Sequence, residues 1–160
     1  MTAFLIILLV IIIAAAAYYG YKKGTMLRES GKLAIREGRF WEDAELLYTK
    51  TSFDELRKEL MNADYSGSGV TAPRSDDEQP ILIFQSAKGF NAAVAYMGEI
   101  DGEHKYNFSI LNWKMRNGAV QGFLEMNVLM TVVEKVFLAL DPDTEAQIEP
   151  RQIKTKTKLF

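Results

Sequence analysis

The sequence predicts an α+β protein. It reads as a single N-terminal transmembrane helix and juxtamembrane helices, then an antiparallel β-meander of about four strands covered by a C-terminal helix. Three observations carry that reading. Residues 2–21 contain no charged side chain. Between Ile81 and Met126, apolar and polar residues alternate with period two, and two Asx-Gly pairs punctuate the runs. From Asn127 to Leu140 the spacing returns to that of a helix, which Asp141-Pro142 should stop. The expected division is an anchor over 1–23, a juxtamembrane helical segment over 24–64, a flexible acidic linker or loop over 65–80, and the meander with its helix over 81–160. Residues 24–160 are expected to form one soluble domain.

The first element is argued from length and flanks. About 20 uncharged residues, at roughly 1.5 Å each in a helix, make about 30 Å, the thickness of a bilayer's hydrocarbon core. Tyr18, Tyr19 and Tyr21 fall where an interfacial aromatic belt sits, with Lys22 and Lys23 just beyond it in the headgroups. A cleaved signal peptide fits less well, because Met1-Thr2-Ala3 carries no basic side chain and the apolar run is long. Residues 22–39 hold six basic side chains against two acidic ones. The positive-inside rule then puts the N-terminus outside and the soluble domain in the cytoplasm. The chain has no cysteine, which is compatible with a reducing compartment without requiring one.

From Gly24 to Lys50 the expectation is helical, as a bent pair. Leu27, Ala34, Trp41 and Tyr48 make a stripe seven residues apart. Gly24, Gly31 and Gly38 recur at the same interval, a candidate surface for close packing of a neighbouring helix. The order Ala34, Gly38, Phe40 or Trp41, Ala44, Tyr48 resembles one tetratricopeptide hairpin. Its spacing is off by one, however, and no second repeat follows, so a generic helix–turn–helix is the expectation. Ser52-Phe-Asp-Glu55 is a capping box that should start a short helix with Phe53, Leu56 and Leu60 inward. Residues 65–80 are rich in Gly, Ser, Pro and acid, the composition of a loop or linker.

After Pro80 come the strands. Ile81 to Ser86 is the first, and Phe90 to Ile100 the second. Asp101-Gly102 turns into the third, Glu103 to Met115, and Asn117-Gly118 into the fourth, Ala119 to Met126. Asn127 is the expected helix cap. Residues 152–160 alternate lysine with Ile, Thr and Leu, which suits a lysine-guarded edge strand or a basic tail.

Composition excludes more chemistry than it suggests. Without cysteine and with one histidine, a Cys nucleophile and Cys/His zinc sites are out. His104 is the only histidine available to a Ser–His–Asp site, and it lies beside a hairpin turn. No phosphate loop or calcium loop is complete, and no cofactor is expected. Residues 40–149 carry nineteen acids against nine bases, a balance that argues against nucleic acid. The expected function is a membrane-anchored, non-enzymatic accessory or scaffold protein whose domain binds a protein partner at the membrane surface. Homo-oligomerisation is left open. The alternative is a cone-like ligand-binding or enzymatic domain with a pocket lined by Tyr96, His104, Tyr106 and Phe108.

Overall fold

The computed structural model describes residues 2–29, 34, 36, 38–76 and 78–151, and, within the first helix, the side chains of 8–19, 21, 22 and 25. The chain forms two compact units, Met1–Ala34 and Ile35–Phe160. The first contains helix α1 (Thr2–Glu29). The transmembrane anchor expected over 1–23 is corrected here. Among the described residues, no helix is long and apolar enough to cross a membrane. The inferred orientation rested on that span.

The second unit is built on a six-stranded sheet. A 3₁₀ turn at Phe40–Glu42 leads into β1 (Asp43–Thr49), where the sequence pattern suggested helix. Ala, Glu and Leu favour helix, but tertiary context overrides that weak preference. Strand β1 hydrogen-bonds antiparallel to β5 (Glu103–Trp113) on one side and to β8 (Glu145–Pro150) on the other. It is buried on both faces from Ala44 to Leu47, so the alternation that marks a half-buried strand is missing.

Helix α2 (Phe53–Asn62) starts at the expected box. The Glu55 N–H donates to Ser52 Oγ at 3.5 Å, and the Ser52 N–H donates to Glu55 Oε2 at 3.2 Å. Leu56 and Leu60 are its fully buried side chains. The following segment closes against the sheet. Tyr65 is buried and donates its hydroxyl to the Leu60 carbonyl, and Val70 bridges to Ser86. Strand β2 (Arg74–Ser75) then pairs with β3 (Ile81–Ser86).

The meander of β3, β4 (Phe90–Ile100) and β5 is as expected, with Asp101-Gly102 in the positive-φ turn between the last two. The sheet order is β2-β3-β4-β5-β1-β8, so three of its six strands, β1, β2 and β8, stand outside the anticipated meander. The expected fourth strand, Ala119–Met126, is a correction. Only β6 (Met115–Arg116) and β7 (Ala119–Val120) pair there, as a separate two-stranded hairpin around Asn117-Gly118. Helix α3 (Phe123–Leu140) begins four residues before Asn127. Gly122 makes that early start feasible. It sits at φ +74°, and a Cβ on it would lie 3.0 Å from the Lys88 carbonyl oxygen. Asn127 is no cap: it is buried and donates back to the Phe123 carbonyl at 2.9 Å. The alternating stretch 152–160 lies outside the described residues.

Helices α2 and α3 cover one face of the sheet, enclosing Phe84, Phe90, Phe108, Tyr106, Leu129 and Phe137 in the core. Tyr106 stacks edge-on against Phe137, with centroids 5.3 Å apart, and its hydroxyl donates to the Thr51 carbonyl at 2.9 Å. Asp141 ends α3 and ties it to β1: Oδ2 accepts from Thr49 Oγ1 and from the Lys50 N–H, both at 2.8 Å. Since Phe137 is fully buried, Phe137→Ala should lower the unfolding free energy by about 3–5 kcal/mol in denaturant titration of the full chain. A loss under about 1 kcal/mol means that α3 does not close this core.

Candidate functional site

A cleft lies where the 3₁₀ turn, the end of β5 and the β6–β7 hairpin meet. Its volume is about 640 Å³, and Trp41, Trp113, Arg39, Met115, Val120 and Arg151 line it. Phe40 turns into the core, leaving Trp41 half-buried at the surface. An aromatic cluster holds Trp41 from behind, with Phe40 at 5.3 Å and Phe123 at 5.9 Å between centroids. Trp113 is the last residue of β5, paired across the sheet with Phe90. The hairpin walls the third side. Its turn puts Asn117 at φ +51° and Gly118 at φ +76°, the left-handed pair that a tight hairpin of this twist needs.

Arg151 forms part of the lining and braces it. Its Nη2 donates to the carbonyls of Ile110 at 2.6 Å and Trp41 at 2.9 Å, and Nε donates to Glu42 O at 3.2 Å. One guanidinium therefore joins β5 to the 3₁₀ turn that leads into β1. Burial pulls this guanidinium below its usual pKa, and the nearby Asp43 charge acts in the opposite direction. On the rim, exposed Arg39 pairs with Glu42 at 3.3 Å. The cleft thus presents two indole faces beside cationic groups, a surface suited to an apolar group adjoining an acidic or carbonyl oxygen.

A second polar cluster lies between β1 and α3. Arg36 forms an ion pair with Glu134, and its N–H donates to Asn127 Oδ1 at 2.9 Å. Glu45 adjoins that pair and is 5% exposed. Its pKa is pushed up to about 8, first by burial, then by the Glu134 charge and a hydrogen bond to Glu134 that requires a proton; Arg36 pulls the other way. The neutral acid is thus the form the fold favours.

The sequence-derived candidates are placed as follows. Tyr96 and His104 meet, with Oη 3.2 Å from Nδ1, and the Tyr96 ring lies 5.4 Å from that of Tyr106. Phe108 sits apart against Phe84, and Tyr106 and Phe108 are fully buried in the core. Neither the tryptophan cleft nor the cavities beside Glu45 include any of the four. Tyr18, Tyr19, Tyr21 and Lys22 are exposed on α1, whereas the side chain of Lys23 lies outside those described. Gly24 lies within α1, Gly31 is outside the described residues, and Gly38 occupies a bend at φ +66°. Trp41 and Trp113 are visible in the sequence, but 71 residues of chain separate them, and no local pattern joins them. Comparison of the chain with family models, curated proteins and solved structures gives no match.

Two outcomes follow from these contacts. Arg151→Leu removes three charged hydrogen bonds to backbone carbonyls and should cost about 1.5–3 kcal/mol of stability, read as a fall in melting temperature. An unchanged melting temperature means that the brace carries no load. The second concerns pH. Glu45 faces Glu134 of α3 and Arg36, with Asp43 on its own strand and the non-titrating Ile148 of β8 at the same cavity. Its folded pKa of about 8 exceeds the usual 4.5, so its contribution to stability is complete at low pH and is lost as pH rises toward 8. The melting temperature should therefore fall between pH 5.5 and pH 8.5 by more than in Glu45→Gln. Parallel profiles for the two proteins contradict this.

Proposed function

We propose that this protein is a non-enzymatic interaction module whose α+β domain holds an extended segment of a protein partner in the Trp41–Trp113 cleft. The carrying observation is the pair of half-buried tryptophans flanking one open cleft of about 640 Å³. Tryptophan and arginine are the side chains that most often dominate binding energy at protein interfaces, and a cleft offers them the water-excluding wall they need. Arg151 keeps the backbone of the 3₁₀ turn and of β5 in place, so little ordering is left to be done on binding. The fitting segment carries a proline or large apolar residue for the indoles, next to an acidic side chain for the arginines. The ligand-pocket alternative at Tyr96, His104, Tyr106 and Phe108 is less well supported, because two of those four side chains are consumed by the core.

The test is selection of displayed random peptides on the full chain, with affinity then measured by tryptophan fluorescence. Selected peptides should share an apolar or proline residue beside Asp or Glu. Trp113→Ala should weaken them by about 10- to 30-fold, the loss of a hot-spot side chain worth about 2 kcal/mol. Arg39→Glu should weaken them too. Peptides that bind Trp113→Ala as well as the unmutated protein would refute the cleft as the binding site.

A further inference from the structure

Among the described residues, Glu45 Oε2 is a buried side-chain oxygen with no hydrogen-bond partner. A buried acceptor in that state normally meets a partner, because leaving it bare costs about 1–3 kcal/mol. Two cavities open beside it. One, of about 200 Å³, is walled by Phe40, Met130 and Ile148; the other, of about 280 Å³, by Leu47, Phe137 and Leu138. Their shared lining is Glu45 and Glu134, so the two carboxyls form the waist of an apolar groove between α3 and β8. At that waist Arg36 already pairs with Glu134, and Asp43 adds a carboxylate at the edge of the first cavity. Ionised, Glu45 calls for one more positive charge.

We infer that this groove binds a primary alkylammonium group, with the ammonium donating to Glu45 Oε2 and Glu134 and its unbranched chain lying along the apolar wall. Three N–H donors on one nitrogen suit two adjacent carboxyls. The walls suit methylenes rather than a hydrated ion, and among the described residues no group of three or more acids or histidines is arranged for a metal. The site is separate from the tryptophan cleft; their linings have no residue in common. Binding requires Glu45 to be ionised, so its proton is released to solvent. Affinity is therefore linked to pH through Glu45, in the field of Glu134, Arg36 and Asp43; Ile148, Ala146 and Thr144 are what β8 and its approach present.

The experiment is calorimetric titration of the full chain with n-butylammonium chloride at pH 6 and pH 8.5. The controls are n-butanol, which has the same chain without the charge, and tetramethylammonium, which has the charge without a donor. Saturable binding of butylammonium is expected, at least about tenfold tighter at pH 8.5, where the competent ionised form is the larger fraction. Neither control should bind. Glu45→Gln should abolish binding, and Ile148→Trp, at a position 63% exposed on β8, should weaken it by crowding the first cavity. A lysine-containing tripeptide separates the sources: if it binds, the groove reads a lysyl side chain, and if only butylammonium binds, a free amine. Absence of saturable butylammonium binding at pH 8.5, equal binding of butanol, or undiminished binding by Glu45→Gln overturns the inference. Should Glu45→Gln fail to fold, the butanol comparison on the unmutated protein decides the matter.

Discussion

Strand β1 is seven residues long and has neighbours on every side, and the domain depends on its being satisfied along both edges. Its backbone bonds to β5 and to β8, its side chains are buried on both sheet faces, and Thr49 at its end is bonded to Asp141 at the close of α3. The last six-residue strand can join the sheet only through it. Burying backbone donors and acceptors this thoroughly is tolerable only when each finds a partner, and the antiparallel ladders on both edges supply most of them. The 3₁₀ turn that brings the chain into β1 also sets the position of Trp41, so the cleft inherits its geometry from the same strand.

That placement has an electrostatic cost at Glu45. A carboxyl on the helix-facing side of a central strand loses its water, and an adjacent Glu134 makes ionisation harder still. Arg36 compensates in part, reaching over α3 to Glu134 and Asn127. A Leu at this position would pack against Met130 and Phe137 without any such penalty, so stability is an inadequate reason for an acid here. A site for a cationic group supplies one. Arg151 poses the opposite problem and solves it differently. Its charge is spread over three carbonyls of neighbouring elements, and a cation that would otherwise be a liability becomes the joint between them.

How much could be read in advance varies with the locality of the signal. The β3–β4–β5 meander was legible because Asp101-Gly102 and the period-two runs are local and strong. The capping box at Ser52 and the helix stop at Asp141 were legible for the same reason. Strand β1 was not. With both faces buried it loses its alternation, and Ala-Glu-Leu-Leu reads as helix until β5 and β8 are present on either side. Residues 119–126 misled in the other direction. Their alternation looked like a strand, but Gly122 in a left-handed conformation starts a helix that buries Met126. The cleft was out of reach, since its tryptophans lie on the 3₁₀ turn and on β5, and the Glu45 site joins β1 to a residue of α3.

By itself the sequence determined the α+β class but not the architecture, together with the hairpin turns, the capped start of α2 and the end of α3. Each of these follows from forces acting among residues a few positions apart: turn sterics, side-chain capping and the period of burial. Only the tertiary structure decided that residues 43–49 are a central strand, that β8 completes the sheet, and that Trp41 meets Trp113 and Glu45 meets Glu134. Those outcomes depend on which backbone edges and buried charges become neighbours across the chain, and the free energy of such contacts is a property of the packed whole that no local window contains.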